Sequence, residues 1–218
     1  MQDGEHQRTA DRHDGLPVLV EDTRRLIELL VTSEAPADAL LAAGRHVREA
    51  VAALAPFRSG PNQRSAPGAD VRDPARLMPF DCIVGPLNAL APPLGVRWEP
   101  PLAVAEIAFT TPYEGPPGCV HGGVIAAAFD QVFNVANLML GNPGPTASLR
   151  LRYRRPTPLG RLLRFEGWQE RVEERRVHAR GRLLAGDQVT VEAEGAFAVV
   201  PIERILAMLG RDGDGSNG

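Results

Sequence analysis

One apolar segment, HGGVIAAAFDQVFNVANLM at residues 121–139, constrains what this chain can fold into more than any other feature. Its Val, Ile, Ala, Phe and Leu residues fall on nearly every side of a helix, and a helix apolar all round must be enclosed. Four strand-like runs follow at about 146–155, 161–172, 176–185 and 188–200, with Gly186-Asp187 suited to a tight hairpin turn between the last two. No helical pattern separates these runs, so parallel crossovers are excluded and the sheet is expected to be antiparallel. Two further runs, 94–100 and 102–110, precede the helix across a short proline-containing turn. The expected class is α+β, with one long central helix wrapped by a curved antiparallel sheet, the arrangement called a hotdog.

The remainder reads as an extension. Residues 1–17 are charged and polar with no apolar core, which predicts a disordered tail and argues against a secretory signal. Residues 18–75 are expected to form a helical N-terminal extension and linker. Helices are predicted at about 19–31 and 36–54, the second amphipathic through Leu40, Val47, Val51 and Leu54 and so expected to pack on something. Residues 55–75 have the Pro, Gly, Ser and Asn content of a linker. The main domain is expected at 76–210, closing with a short helix from Pro201, and 211–218 is expected to be a disordered tail. The central run is interrupted by Asp130, Gln131, Asn134 and Asn137, so no membrane span is expected. Two cysteines, Cys82 and Cys119, make no disulfide framework, and a cytoplasmic location is expected.

All 24 basic residues are arginine. Lysine Schiff-base chemistry and a P-loop lysine are therefore excluded. Residues 150–182 hold eleven arginines against Glu166, Glu170, Glu173 and Glu174, a local excess of +7 in a chain of net charge −3. That excess suits either an anionic partner or a solvated strand surface in which arginine is the available cation. Nucleic acid is not expected, since few aromatics accompany these arginines.

The central segment carries the candidate chemistry. Gly122 and Gly123 open the helix, where backbone N–H groups lack intrahelical acceptors and the dipole is positive. Without Cβ atoms they admit a ligand oxygen, the chemistry of an oxyanion hole, although glycine there also suits a tight turn. Asp130, Asn134 and Asn137 stand at i, i+4 and i+7, either as a general base or nucleophile with its neighbours or as a hydrogen-bonded seam. His121 shares no ligand spacing with the other histidines, so no metal site is expected, and holding the loop before the helix is its expected role.

Taken together, EGPPGCVHGG at 114–123, Asp130 nine residues after the histidine, and TASLRLRYRRPTPLG at 146–160 resemble the hotdog-fold acyl-CoA thioesterases. The match is to their phenylacetate-pathway (PaaI-like) branch and its mammalian relatives. The resemblance covers about residues 78–200. It implies that the Gly122 N–H, with Gly123 as a further donor, polarises a thioester carbonyl. It further implies that Asp130 activates water or attacks the carbonyl to give a mixed anhydride, that Thr146 orients water or the carboxylate, and that His121 supports the loop and the substrate carbonyl. Some family members carry Asn six residues before the histidine, where this chain has Gly115. An acyl-CoA substrate and no cofactor are implied, and Arg152, Arg154, Arg155 and Arg176 are candidate ligands for the CoA phosphates.

Nine residues of helix rise about 13 Å and turn through about 900°, which sets the two ends on opposite faces. Asp130 is thus expected not to meet the Gly122 amide of its own helix around one carbonyl carbon. A second copy would supply it, giving a homodimer with shared sites, or a dimer of dimers. The competing readings are a non-catalytic acyl-CoA-binding or sensing protein and, less well matched, hydratase chemistry.

Overall fold

A computed structural model of the chain describes residues 2–58, 74–92 and 94–200. The expected helix from Pro201, the tail after it and most of the linker lie outside the described residues. Element order is α1 (Gln2–Thr32), α2 (Ala37–Leu54), a 3₁₀ turn (Ala55–Phe57), α3 (Pro74–Leu77), β1 (Val96–Glu99), β2 (Leu102–Ile107), a second 3₁₀ turn (Thr111–Tyr113), α4 (Gly122–Met139), β3 (Thr146–Tyr153), β4 (Leu163–Glu173), β5 (Arg176–Ala185) and β6 (Gln188–Ala198). The strands form one sheet in the order β1-β2-β4-β5-β6-β3, every neighbouring pair antiparallel. The hotdog architecture expected from the alternation of elements is the one found.

The sequence of α4 dictates its place. Ile125, Ala128, Phe129, Val132, Phe133, Val135 and Ala136 are all buried. They meet the inner face of the sheet, where Leu163, Phe165, Val177, Leu183, Val191 and Phe197 are buried in turn. Phe129 and Phe165 pack edge to face with ring centroids 5.1 Å apart, and Phe133 meets Phe197 the same way at 6.2 Å. The two-residue turn at Gly186-Asp187 joins β5 to β6, Ala185 pairing with Gln188 and Gly186 holding φ at +59°.

Glycine lets the helix lie this close. Gly167 on β4 pairs with Gly181 on β5, and Gly195 on β6 pairs with Ala179. A Cβ on Gly181 would fall 2.7 Å from the Phe133 ring and 2.5 Å from the Glu166 carbonyl oxygen, and one on Gly167 would fall 2.6 Å from Val132. Gly181→Ala is therefore expected to destabilise the fold by about 1–3 kcal/mol through overpacking, read as a lowered denaturant midpoint at unchanged m-value.

The extension differs from expectation in two ways. The first helix begins at Gln2 and passes through Pro17, so residues 2–17, expected to belong to a disordered tail, lie in α1. Gln2, Glu5, Gln7, Arg8, Ala10 and Arg12 are good helix formers, but they give no apolar period for a sequence reading to detect. Second, α2 has no buried residue, although its apolar face was expected to pack on something. Among the described residues α1 docks against the 111–113 turn, with Val20 buried.

Candidate active site at the start of helix α4

The segment before α4 is held at both edges. Gly115 N–H donates to the Cys119 carbonyl at 2.9 Å, Val120 N–H to Thr157 at 2.9 Å, and His121 N–H to Tyr113 at 2.9 Å. The Glu114 carboxylate accepts the Gly118 N–H at 2.6 Å, with Gly118 at φ +72°. A Cβ at Gly115 would lie 2.8 Å from the His121 Cα, so this tight loop has no room for the Asn found in some family members.

His121 is the N-cap of α4, and its Nδ1 accepts the Gly123 N–H at 3.0 Å. That bond separates the two glycines. Gly123 N–H is engaged within the cap, whereas Gly122 N–H, at the first helical position, makes no hydrogen bond among the described residues. Gly122 lies beneath Tyr153, whose hydroxyl donates to the Gly122 carbonyl at 2.8 Å and would stand 3.0 Å from a Cβ at that position. Burial pushes the Tyr153 hydroxyl above the usual phenol range, so it remains a donor at neutral pH.

Asp130 lies two turns further along. Thr146 Oγ1 donates to Asp130 Oδ1 at 2.5 Å, and Asn134 Nδ2 donates to Oδ2 at 3.4 Å. Thr146 reaches inward because of a β-bulge. Leu149, Leu151 and Tyr153 pair with Gly195, Ala193 and Val191 on the inner face, and strict alternation would turn Thr146 outward. The register shift between Thr146 and Ser148 sets Thr146 opposite the buried Phe197 instead, and so toward α4. β3 is an edge strand, so this site opens at an unpaired edge of the sheet.

Gly122 and Asp130 both face β3, through Tyr153 and Thr146 respectively. The expectation of opposite faces is therefore corrected. Counted from Gly122, eight residues turn the helix through two full turns and about 80°, while the axial rise of about 12 Å remains. Axial distance, not face, separates the two groups. Tyr153 was not among the residues singled out from sequence, although its even spacing from Leu149 and Leu151 was a readable sign that it shares their face.

The arginines sort differently from the expected cluster. Arg152 lies at the C-terminal end of β3 and Arg155 just beyond it, with Arg155 Nη1 donating to the Val189 carbonyl at 3.2 Å. Arg154 is paired to Glu192 at 2.6 Å. Arg176, on β5, pairs in register with Ala198 of β6, next to the residue opposite Thr146, and so lies level with the far end of β3, two strands away. About 23 Å of strand separates it from the others. Much of the +7 excess is neutralised from outside the window. Arg164 binds Glu99 and Glu106 as well as Glu166, and Arg180 binds Glu194 as well as Glu170. Burial pushes the Glu166 carboxyl up, but hydrogen bonds from Arg164 and Arg182 outweigh it and hold the group below the usual range. Five of the eleven arginines, Arg154, Arg164, Arg171, Arg180 and Arg182, thus have carboxylate partners on the sheet among the described residues, as the solvated-strand reading expects. Among the described residues, no three His, Cys, Asp or Glu side chains come together as a metal cluster, and no helix is long and apolar enough to cross a membrane.

A central helix enclosed by one antiparallel sheet defines a hotdog domain, here with a glycine-opened helix start and a tethered carboxylate at the sheet edge. Residues 117–192 match the thioesterase superfamily family model. The fold superposes on a crystal structure of a thioesterase superfamily protein with a TM-score of 0.75 and 31% identity, covering 84% of this chain and 90% of that one. The chain belongs to the thioesterase superfamily. It is also similar to acyl-coenzyme A thioesterase THEM4 of Xenopus laevis, 33% identical over 92 residues, which is 42% of this chain and 41% of that protein. With acyl-coenzyme A thioesterase THEM5 of Homo sapiens it shares 30% identity over 92 residues, 41% of this chain and 37% of that protein. The matched stretch thus spans about two fifths of the length of these curated relatives.

Proposed function

We propose that the protein hydrolyses acyl-CoA thioesters to the free acid and CoA. The observation that carries this reading is one helix bearing an unengaged N–H at Gly122 and, at Asp130, a carboxylate tethered by Thr146 and Asn134. The thioester carbonyl oxygen would accept from the Gly122 N–H, where the helix dipole favours the negative charge that develops on attack. Gly123 contributes indirectly, because its N–H fixes the His121 ring and so the loop. Asp130 would take a proton from the attacking water, or attack the carbonyl carbon itself to form an anhydride that water then opens. In either route the C–S bond breaks, and the thiolate leaves as CoA after gaining a proton. Thr146 holds Asp130 in place for that step.

The 12 Å rise between the two groups means that Gly122 from one copy and Asp130 from another would form each site. The homodimer is thus part of the proposal. Of the four arginines singled out from sequence, Arg152, Arg155 and Arg176 have no carboxylate partner among the described residues, and Arg152 and Arg155, next to Tyr153 in the chain, are our candidates for the CoA phosphates. Similarity to proteins named acyl-coenzyme A thioesterases supports the substrate class.

Release of free thiol from a panel of short, long and aromatic acyl-CoAs by the purified full chain tests the reading. At least one class should turn over with kcat/KM of about 10⁴ M⁻¹ s⁻¹ or more. Binding of acyl-CoA with no thiol release from any member would overturn hydrolysis and leave a binding protein.

A further inference from the structure

We propose that Arg24, in the N-terminal extension, is a positioning residue that holds the Gly122 N–H in place for the reaction. This rests on the hydrolase reading, yet it concerns a part of the chain outside the family match at 117–192.

Arg24 lies on α1 with its side chain only 17% exposed. Its guanidinium donates to three backbone carbonyls of one loop: Nη2 to Asn88 at 2.9 Å and to Pro86 at 3.1 Å, and Nε to Ala91 at 3.3 Å. Its carboxylate neighbour, Glu21, stands further off at 3.6 Å and is itself largely exposed. An arginine that gives its three shortest contacts to one loop, at 2.9, 3.1 and 3.3 Å, fixes that loop's shape. A planar fork of N–H donors can do this where a lysine cannot.

The clamped loop supports the site. Inside it, the Leu90 carbonyl accepts the Tyr113 hydroxyl at 3.2 Å. The Tyr113 ring packs edge to face on the buried Phe109 at 5.7 Å, and its backbone carbonyl accepts the His121 N–H at 2.9 Å. His121 in turn caps α4 through Gly123. Four consecutive contacts thus run from α1 to the helix start that presents Gly122. Burial raises the Tyr113 hydroxyl above the usual phenol range, which keeps it a donor throughout. The extension is thereby part of the working site through α1, whereas α2 beyond it buries no residue.

Steady-state kinetics on the full chain test this. Arg24→Ala should lower kcat by about 10- to 100-fold, since misplacing a reacting geometry by about 1 Å can cost 10²-fold. KM should stay within about threefold, because no substrate-binding group is removed. Tyr113→Phe keeps the ring packing, removes only the hydroxyl, and should lower kcat in the same direction. The double variant should lose less than the product of the two single losses, as expected for groups acting along one path. Arg24→Lys, should the alanine variant fail to fold, retains the charge without the fork and should recover only part of kcat. Amide exchange gives a readout independent of turnover, with Arg24→Ala speeding exchange at His121 and Gly123. Unchanged kcat and unchanged exchange in an active enzyme would overturn the brace, as would fully multiplicative losses. Faster exchange in a protein whose wild type releases no thiol would uphold the brace and overturn the hydrolase reading.

Discussion

Asp130→Asn should fold as the wild type does and lose about 10²–10⁴-fold in kcat, the usual cost of removing a general base. The substitution is isosteric, and Thr146 Oγ1 can still donate to the amide oxygen where it now meets Asp130 Oδ1 at 2.5 Å. What disappears is the capacity to take a proton from water or to attack carbon. The Asn134 amide would then face an NH₂ group in place of the Oδ2 it now meets at 3.4 Å, a long contact whose loss costs little. Asp130 is half-buried, so no orphaned charge is left in the core by the change. A melting temperature within a few degrees of wild type, with thiol release reduced to this extent, is the expected pair of results. A folded variant with near-normal turnover would remove Asp130 from the mechanism and return the polar stripe to its alternative role as a seam.

The core was legible in the sequence because its signals are local. Apolar residues on all sides of 121–139 announce an enclosed helix, and Gly186-Asp187 between two alternating runs announces a hairpin. The same local signals put Gly122 and Asp130 on the central helix and Thr146 at the start of a strand, where the structure has them. What escaped depends on partners distant in the chain. Arg164 finds Glu99 and Glu106 about sixty positions away, so a charge count over 150–182 overstated the free positive charge. The bulge that turns Thr146 inward is set by pairing with Phe197, which no feature near residue 146 reveals. The Arg24 clamp joins α1 to carbonyls of residues 86, 88 and 91, and backbone acceptors leave no sequence signature at all. The opposite-face argument failed through its origin. It was counted from His121, the cap, whereas the proposed donor is Gly122, one residue and about 100° further on.

The axial separation survives that correction, and it makes a claim about mixtures of inactive proteins. Asp130→Asn lacks the carboxylate, and Gly122→Pro lacks the N–H that would meet the carbonyl oxygen. Proline is tolerated at the first helical position, and the preceding His121, at φ −61° and ψ 130°, already has the extended backbone that a following proline requires. Its Cβ would approach the Tyr153 hydroxyl to about 3.0 Å, so the ring must yield slightly, and a melting curve of this variant is measured first. Each pure homodimer then holds two crippled sites. In a mixed dimer, one site joins the intact glycine of the first chain to the intact aspartate of the second, and the other site collects both defects. Random exchange makes about half the dimers mixed, each with one working site of two, so roughly a quarter of wild-type activity should return. Recovery should follow the rate of subunit exchange and should be absent when either variant is assayed alone. Two folded variants that exchange subunits and stay inactive would show that each site is built within a single chain. The rise of about 12 Å along α4 would then have to be bridged by movement of the helix start toward Asp130.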